Sequence, residues 1–263
     1  MKRTILLLAF GLSTFTSCTA FAGIIASTLT PTQDTNLTSY QNTWQSGFSS
    51  NSDVFAVVSG DSLLTLPDVF IDQSVFDAGD DLGILDQSIL DAQERYFAIS
   101  DTKNSDTNDV VNAIWQFDIS SGFDMTFSVD LAAMGDFESS DLLSLELLVD
   151  SQPWSQLLNF EVDEDANQTY EMSSGQQVVL NDPLGLEGQF LSNRFTTFSW
   201  QIPDAETLSV RLAARADGGS EGVMLQNMAI TGSRYQVPEP SSSWLMMIGA
   251  LILLRRHIGF SAA

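Results

Sequence analysis

The chain is poor in the side chains that do most biological chemistry. Among 263 residues there is one cysteine, Cys18, and one histidine, His257. Both lie in terminal segments that read as removable. A disulfide scaffold, a histidine- or cysteine-based active site and a zinc centre with nitrogen and sulfur ligands are all excluded on this count. There are two lysines, Lys2 and Lys103, and ten basic residues against 34 acids, a formal net charge of −24. A polyanion needs a basic face to bind it, so nucleic acid is not a partner. Acidic polysaccharide and anionic lipid are repelled too, unless a divalent cation bridges the charges. No Gly-x-Ser-x-Gly elbow and no phosphate-cradling loop occurs. Hydrophobic residues still make up 44% of the chain, enough for a packed core and too many for a disordered polyanion.

What is present at the two ends reads as targeting. Met1-Lys2-Arg3 precedes the apolar run Ile5 to Leu12, and small residues stand at Ala20 and Ala22. That order is the layout of a secretory signal peptide cut after Ala22, spanning residues 1–22. A cut before Cys18 competes with it, because Phe15-Thr16-Ser17-Cys18 resembles a lipoprotein box. At the other end Val237-Pro238-Glu239-Pro240 and three serines precede the 11-residue apolar run Trp244 to Leu254, and Arg255-Arg256 follow. The prolines keep the leash extended and accessible to a protease. The run is shorter than the roughly 20 residues that span a bilayer comfortably. The arginines stay on the cytoplasmic side, which leaves the body outside.

Pro238, Glu239 and Pro240, the short apolar helix and the cluster Arg255 and Arg256 together resemble the PEP-CTERM sorting signal of Gram-negative bacteria, over residues 237–260. The resemblance implies processing by an exosortase, a membrane cysteine protease, after transient anchoring in the inner membrane. It also implies a final place at the cell surface or outside the cell, and a link to exopolysaccharide and biofilm. The tail after the arginines, Ile258 to Ala263, is longer than is usual in that family.

Trimming both ends leaves a domain over 23–236. The stretch 23–237 holds 33 acids and six bases, a net charge of −27. It shows period-2 alternation repeatedly: Val111 to Ile119, Phe123 to Leu131, Leu143 to Val149, Phe198 to Ile202 and Leu208 to Ala214. Residues 54–59, 95–100, 157–162, 176–180 and 223–231 are further strand candidates, and Ile84 to Glu94 is a candidate short helix. Residues 26–53 read as a first strand or a loose arm. About ten short strands, each with one buried face, predict an all-β fold, an antiparallel jelly-roll-like sandwich flanked by signal and sorting helices. The string from Ala133 to Asp150 with Asp217 to Glu221 and the last strand is similar to secreted carbohydrate-binding and lectin-like jelly rolls. Those often carry Asp-Asn on the last strand, where this chain has Gln226-Asn227.

No cofactor is demanded by this composition, and calcium is the ion its oxygen-rich loops suit. One candidate loop set is Asp136, Glu138 and Asp141 with Asp217 and Glu221 from a second acidic loop. Another is Asp101, Asn104, Asp106 and Asp109, which lacks the EF-hand pattern. A plain solvated loop is the alternative for each. Trp115 and Trp200 fall on apolar strand faces and read as core, whereas Trp154, after Pro153, is a candidate for stacking on a sugar. The expected role is that of an exported, non-catalytic surface or matrix protein. A lectin-like module and a carboxylate-pair glycosidase stand as alternatives.

Overall fold

In the computed structural model the described residues are 22–44, 53–59, 68–76, 82–89, 91, 93–103 and 110–234. Ala22–Arg234 is one compact unit. The alternating segments become strands because each buries every second side chain. In Val111–Asp118 the residues Val111, Ala113, Trp115 and Phe117 are buried, while those between are half-buried or exposed. The same holds for Met125, Phe127, Val129 and Leu131 within Gly122–Met134, and for Leu143, Leu145 and Leu147 within Leu142–Val149.

Numbered along the chain, the strands are β1 (Ala22–Thr28), β2 (Leu37–Asn42), β3 (Val54–Ser59), β4 (Ile71–Asp72), β5 (Leu85–Asp86), β6 (Arg95–Ser100), β7 (Val111–Asp118), β8 (Gly122–Met134) and β9 (Leu142–Val149). They continue with β10 (Ser155–Asn159), β11 (Glu161–Val162), β12 (Asn167–Glu171), β13 (Gln177–Asn181), β14 (Leu184–Leu186), β15 (Gln189–Phe190), β16 (Thr196–Ile202), β17 (Thr207–Arg215) and β18 (Gly222–Arg234). One main sheet runs β16-β8-β18-β6-β3, with β1 also on β18, and the other runs β10-β9-β17-β7-β2. Every pairing in both is antiparallel. The inner faces meet in one core, where Trp115 meets Phe97 edge-on at 5.2 Å. This is the predicted all-β antiparallel sandwich.

The first sheet is covered on its outer face as well. Tyr96, Ala98, Ala132, Met134 and Met224 pack there against Phe70, Ile71 and Ile84 and against Tyr170, Met172 and Val178 from around the β12–β13 hairpin. Burial on both faces explains why β6 and the end of β8 read as continuous apolar runs.

One sequence expectation changes, and two others take definite form. The helix expected over Ile84–Glu94 is instead β5, a single 3-10 turn at Gln87–Ile89 and a further turn. The Asp86 carboxylate accepts hydrogen bonds from the Ser88 N–H at 2.8 Å and its hydroxyl at 2.6 Å, and Asp91 accepts one from the Gln93 N–H. Such local bonds compete with helix. The arm over 26–53 contributes β1 and β2, each in one main sheet. Gln226-Asn227 sits at a bulge of β18, where Asn227 is left-handed (φ 49°) and donates its side-chain N–H to Asp130 at 2.8 Å.

Candidate metal centre

The loop after β8 and the loop before β18 meet at one end of the sandwich. Gly135 allows the approach, since a Cβ there would lie 2.7 Å from Glu221 Cα. The meeting gathers Glu138, Asp141, Asp217 and Glu221, whose nearest carboxylate oxygens all lie within 4.8 Å of one another. Four of the five acids predicted as calcium ligands are therefore together. The fifth, Asp136, is exposed and lies beside Asp182 instead.

Backbone bonds hold the cluster in shape. Asp141 accepts from the Glu138 N–H at 2.9 Å and from the Asp217 N–H at 3.3 Å. Its own N–H donates to Glu138 O at 2.8 Å. Lys103 donates its ammonium to Asp217, and Arg215 donates to Ser140 O at 2.7 Å. Lys103 is also fixed through its N–H to Ala216 O at 2.7 Å. Nothing in the sequence around them marks these two cations as neighbours of the cluster, although they are two of only six bases between residues 23 and 237.

Glu221 is the unusual member. It is only 2% exposed, and its Oε2 is buried without a hydrogen-bond partner. Burial, with the neighbouring Glu138 and Asp141 carboxylates, pushes its pKa up to about 10. Burial also raises Asp141 above the ordinary aspartate range, against two backbone donors that lower it. Glu138 is raised mainly by desolvation, with Asp141 and Asp217 adding to it. Gly218 leaves room for the Glu221 head group, because a Cβ there would sit 1.9 Å from Glu221 Oε1. Beside the cluster is a void of about 20 Å³ lined by Phe137, Leu143, Ala216 and Val223, among others. That void, which Glu221 and Asp141 also line, is smaller than a substrate.

In the second proposed calcium loop Asp101 is described with a left-handed backbone (φ 44°). Asn104, Asp106 and Asp109 lie outside the described residues. Trp154 is half-buried, and the Arg211 guanidinium lies 4.4 Å from its ring centre, occupying one face. Arg211 is held there by Glu146, its partner on the neighbouring strand. Trp115 is 1% exposed, and Trp200 is half-buried and stacked with Phe127 and Phe198. A feature the sequence did not suggest is an open groove of about 780 Å³ between β10–β11 and β14–β15. Asn159, Glu161, Asp163, Glu187, Gln189 and Phe190 line it.

Ala22 is the first residue of β1, opposite Ser233 of β18. Ala20, Cys18, Pro238, Glu239, Pro240, Arg255 and Arg256 lie outside the described residues, as do the signal and sorting helices. Among the described residues no helix is long and apolar enough to cross a membrane.

Comparison with known proteins bears on the C-terminal end. Residues 236–257 match the family model described as the PEP-CTERM protein-sorting motif. The chain carries that signal, which marks proteins exported, anchored in the membrane through the C-terminus and processed by an exosortase. They are then released to the cell surface or the extracellular space. No curated protein sequence matches the chain. Among solved structures, a carbohydrate-binding module described under "CBM4 structure and function" overlaps at TM-score 0.26 and 13% identity, covering 52% of this chain and 70% of that one. The K2 cleaved adhesin domain of Lys-gingipain overlaps at TM-score 0.35 and 8% identity, over 81% and 97%. The C-terminal family 22 carbohydrate-binding module of Clostridium thermocellum Xyn10B overlaps at 0.21 and 14%, over 54% and 84%. The all-β assignment stands on the strand register of this chain itself.

Proposed function

We propose that the exported body is a non-catalytic surface or matrix component that acts by placement and contact, in an exopolysaccharide or biofilm setting. The observation that carries this reading is the sorting motif at 236–257 joined to a body with neither histidine nor cysteine. In the same reading the signal segment is removed after Ala22, so the mature chain begins at Gly23, the second residue of β1. The carboxylate-pair alternative is disfavoured by the site that looks most like one. Glu221 has the raised pKa of a general acid, but it is buried beside a void of about 20 Å³. Ligand pockets run to several hundred Å³. A proton donor that no substrate can reach does no turnover.

Carbohydrate contact is the second reading. The groove of about 780 Å³ favours it, since Phe190 offers a 39% exposed ring beside amide and carboxylate acceptors. Trp154 serves it less well, because Arg211 already covers one face.

The test is replacement of Pro238, Glu239 and Pro240 by alanine. The reading predicts an unprocessed form retained in the membrane fraction. Unchanged release and mass would overturn it. A glycan array probed with the exported protein separates the two readings: Phe190→Ala abolishes any signal that the groove supports.

A further inference from the structure

We infer that Glu138, Asp141, Asp217 and Glu221 together hold one calcium-sized divalent cation, which pins the loop after β8 to the loop before β18. This goes beyond the sorting role and stands or falls separately from it.

Clustered acids alone would not carry this inference. The second observation is Glu221 itself. A carboxylate that is 2% exposed, with Oε2 buried and unpartnered, costs several kcal/mol as a lone ion. Three further carboxylates point into the same spot. Among the described residues, only Lys103 and Arg215 bring positive side-chain charge to these loops. Lys103 is engaged on Asp217 and Arg215 donates to the Ser140 carbonyl. Neither reaches Oε2, to which no donor among the described residues gives a hydrogen bond, its neighbours being the Glu138 and Asp141 carboxyls. A bound cation supplies the missing charge.

The geometry selects the ion. Calcium–oxygen distances of about 2.3–2.6 Å put ligands on opposite sides about 5 Å apart. Four oxygens within 4.8 Å of one another fit around one such centre. The set is all oxygen, which disfavours zinc. It comes from two irregular loops, which suits calcium better than the strict octahedron of magnesium. The Asp141 carboxylate is oriented by two backbone N–H groups, and Gly218 keeps the Glu221 head group free of a Cβ. Exposed faces of Glu138 and Asp217 leave room for water ligands. Extracellular calcium modules bind with Kd on the order of 10⁻⁴–10⁻³ M, so such a site fills only after export and tightens the sandwich where the protein works.

The experiment uses the full chain in mild detergent, stripped with a chelator and melted with and without calcium or magnesium. At a tenfold excess of calcium over Kd, the Tm of the wild type rises by about 3–6 °C. Magnesium at equal concentration gives a smaller rise. In Glu221→Gln and Asp141→Asn the calcium shift is lost. Glu221→Gln in chelator melts at or above the wild type, because the amide is buried neutral without having to take up a proton; a misfolded variant would melt lower. Asp182→Asn, outside the cluster, keeps the full shift. The inference is overturned if calcium leaves the wild-type Tm unchanged and calorimetry shows no heat of binding. It is overturned equally if Glu221→Gln keeps the shift, or if magnesium alone produces it.

Discussion

Replacing Gly218 by alanine tests the cluster without touching a carboxylate. The new Cβ would lie 1.9 Å from Glu221 Oε1 and 2.5 Å from its Cδ. Gly218 is not among the positive-φ glycines, so alanine fits the backbone and the clash falls on the flexible end of Glu221. Restoring ordinary contact moves the head group by about 1.5 Å, against a tolerance of about 0.2 Å for metal ligation. Leaving the preferred rotamer costs about 1 kcal/mol, a small change in chelator. The loss shows with calcium. At a tenfold excess over Kd the wild type gains about 1.4 kcal/mol. A tenfold weaker site gains about 0.4 kcal/mol at the same concentration. For a domain of this size the shift falls from about 3–6 °C to about 1 °C. Thermal melts followed by circular dichroism, in chelator and in calcium, read both numbers. A calcium shift in Gly218→Ala equal to that of the wild type would refute the reasoning.

Three further outcomes follow from the structure. With calcium chelated, Glu221 favours folding fully below its ordinary pKa of 4.5, and that contribution is lost as pH rises toward about 10; between pH 5 and 7 the loss is on the order of 3 kcal/mol. Urea melts should show this extra slope in the wild type and not in Glu221→Gln, and equal slopes would count against it. Trp115→Ala, at a site 1% exposed and ringed by Phe97 and Tyr40, should cost about 3–5 kcal/mol, whereas Val179→Ala at a 61% exposed site should change the same urea midpoint little. Asp150 has φ 50°, and its carboxylate accepts from the Glu206 and Thr207 N–H groups at 3.0 and 2.9 Å. Asp150→Ala should therefore cost about 1–2 kcal/mol and Asp150→Asn clearly less, and equal losses would remove the turn-bond explanation.

Much of the sandwich was legible in the chain because one-sided burial writes itself as alternation. Val111 to Phe117 and Leu208 to Ala214 read as strands from sequence and pair with each other residue for residue. Elements with other surroundings left weaker marks. β1 hides in the segment after the signal region, where Ala, Ser and Thr give little contrast. The β12–β13 hairpin buries few side chains, Tyr170 and Val178 among them, so its alternation is ragged. The Ile84–Glu94 stretch has helical spacing, but Asp86 and Asp91 spend their carboxylates on local turns.

The acidic cluster was readable for a related reason. Gly135-Asp136 and Asp217-Gly218-Gly219 mark turns, and acids beside turns at one sandwich end converge. Two things could not be read. Glu221 precedes the last strand like any loop acid, and its depth of burial depends on Gly135 admitting the other loop. Asp136 is two residues from Glu138, yet it faces Asp182 across a different loop. The groove beside Phe190 is built from short strands that the sequence did not predict singly.

Intact-mass analysis of the protein recovered from the cell surface and the culture fluid addresses the account as a whole. It predicts a chain that begins at Gly23 and lacks the apolar run Trp244 to Leu254. An undivided 263-residue chain recovered from the cytosol would contradict it.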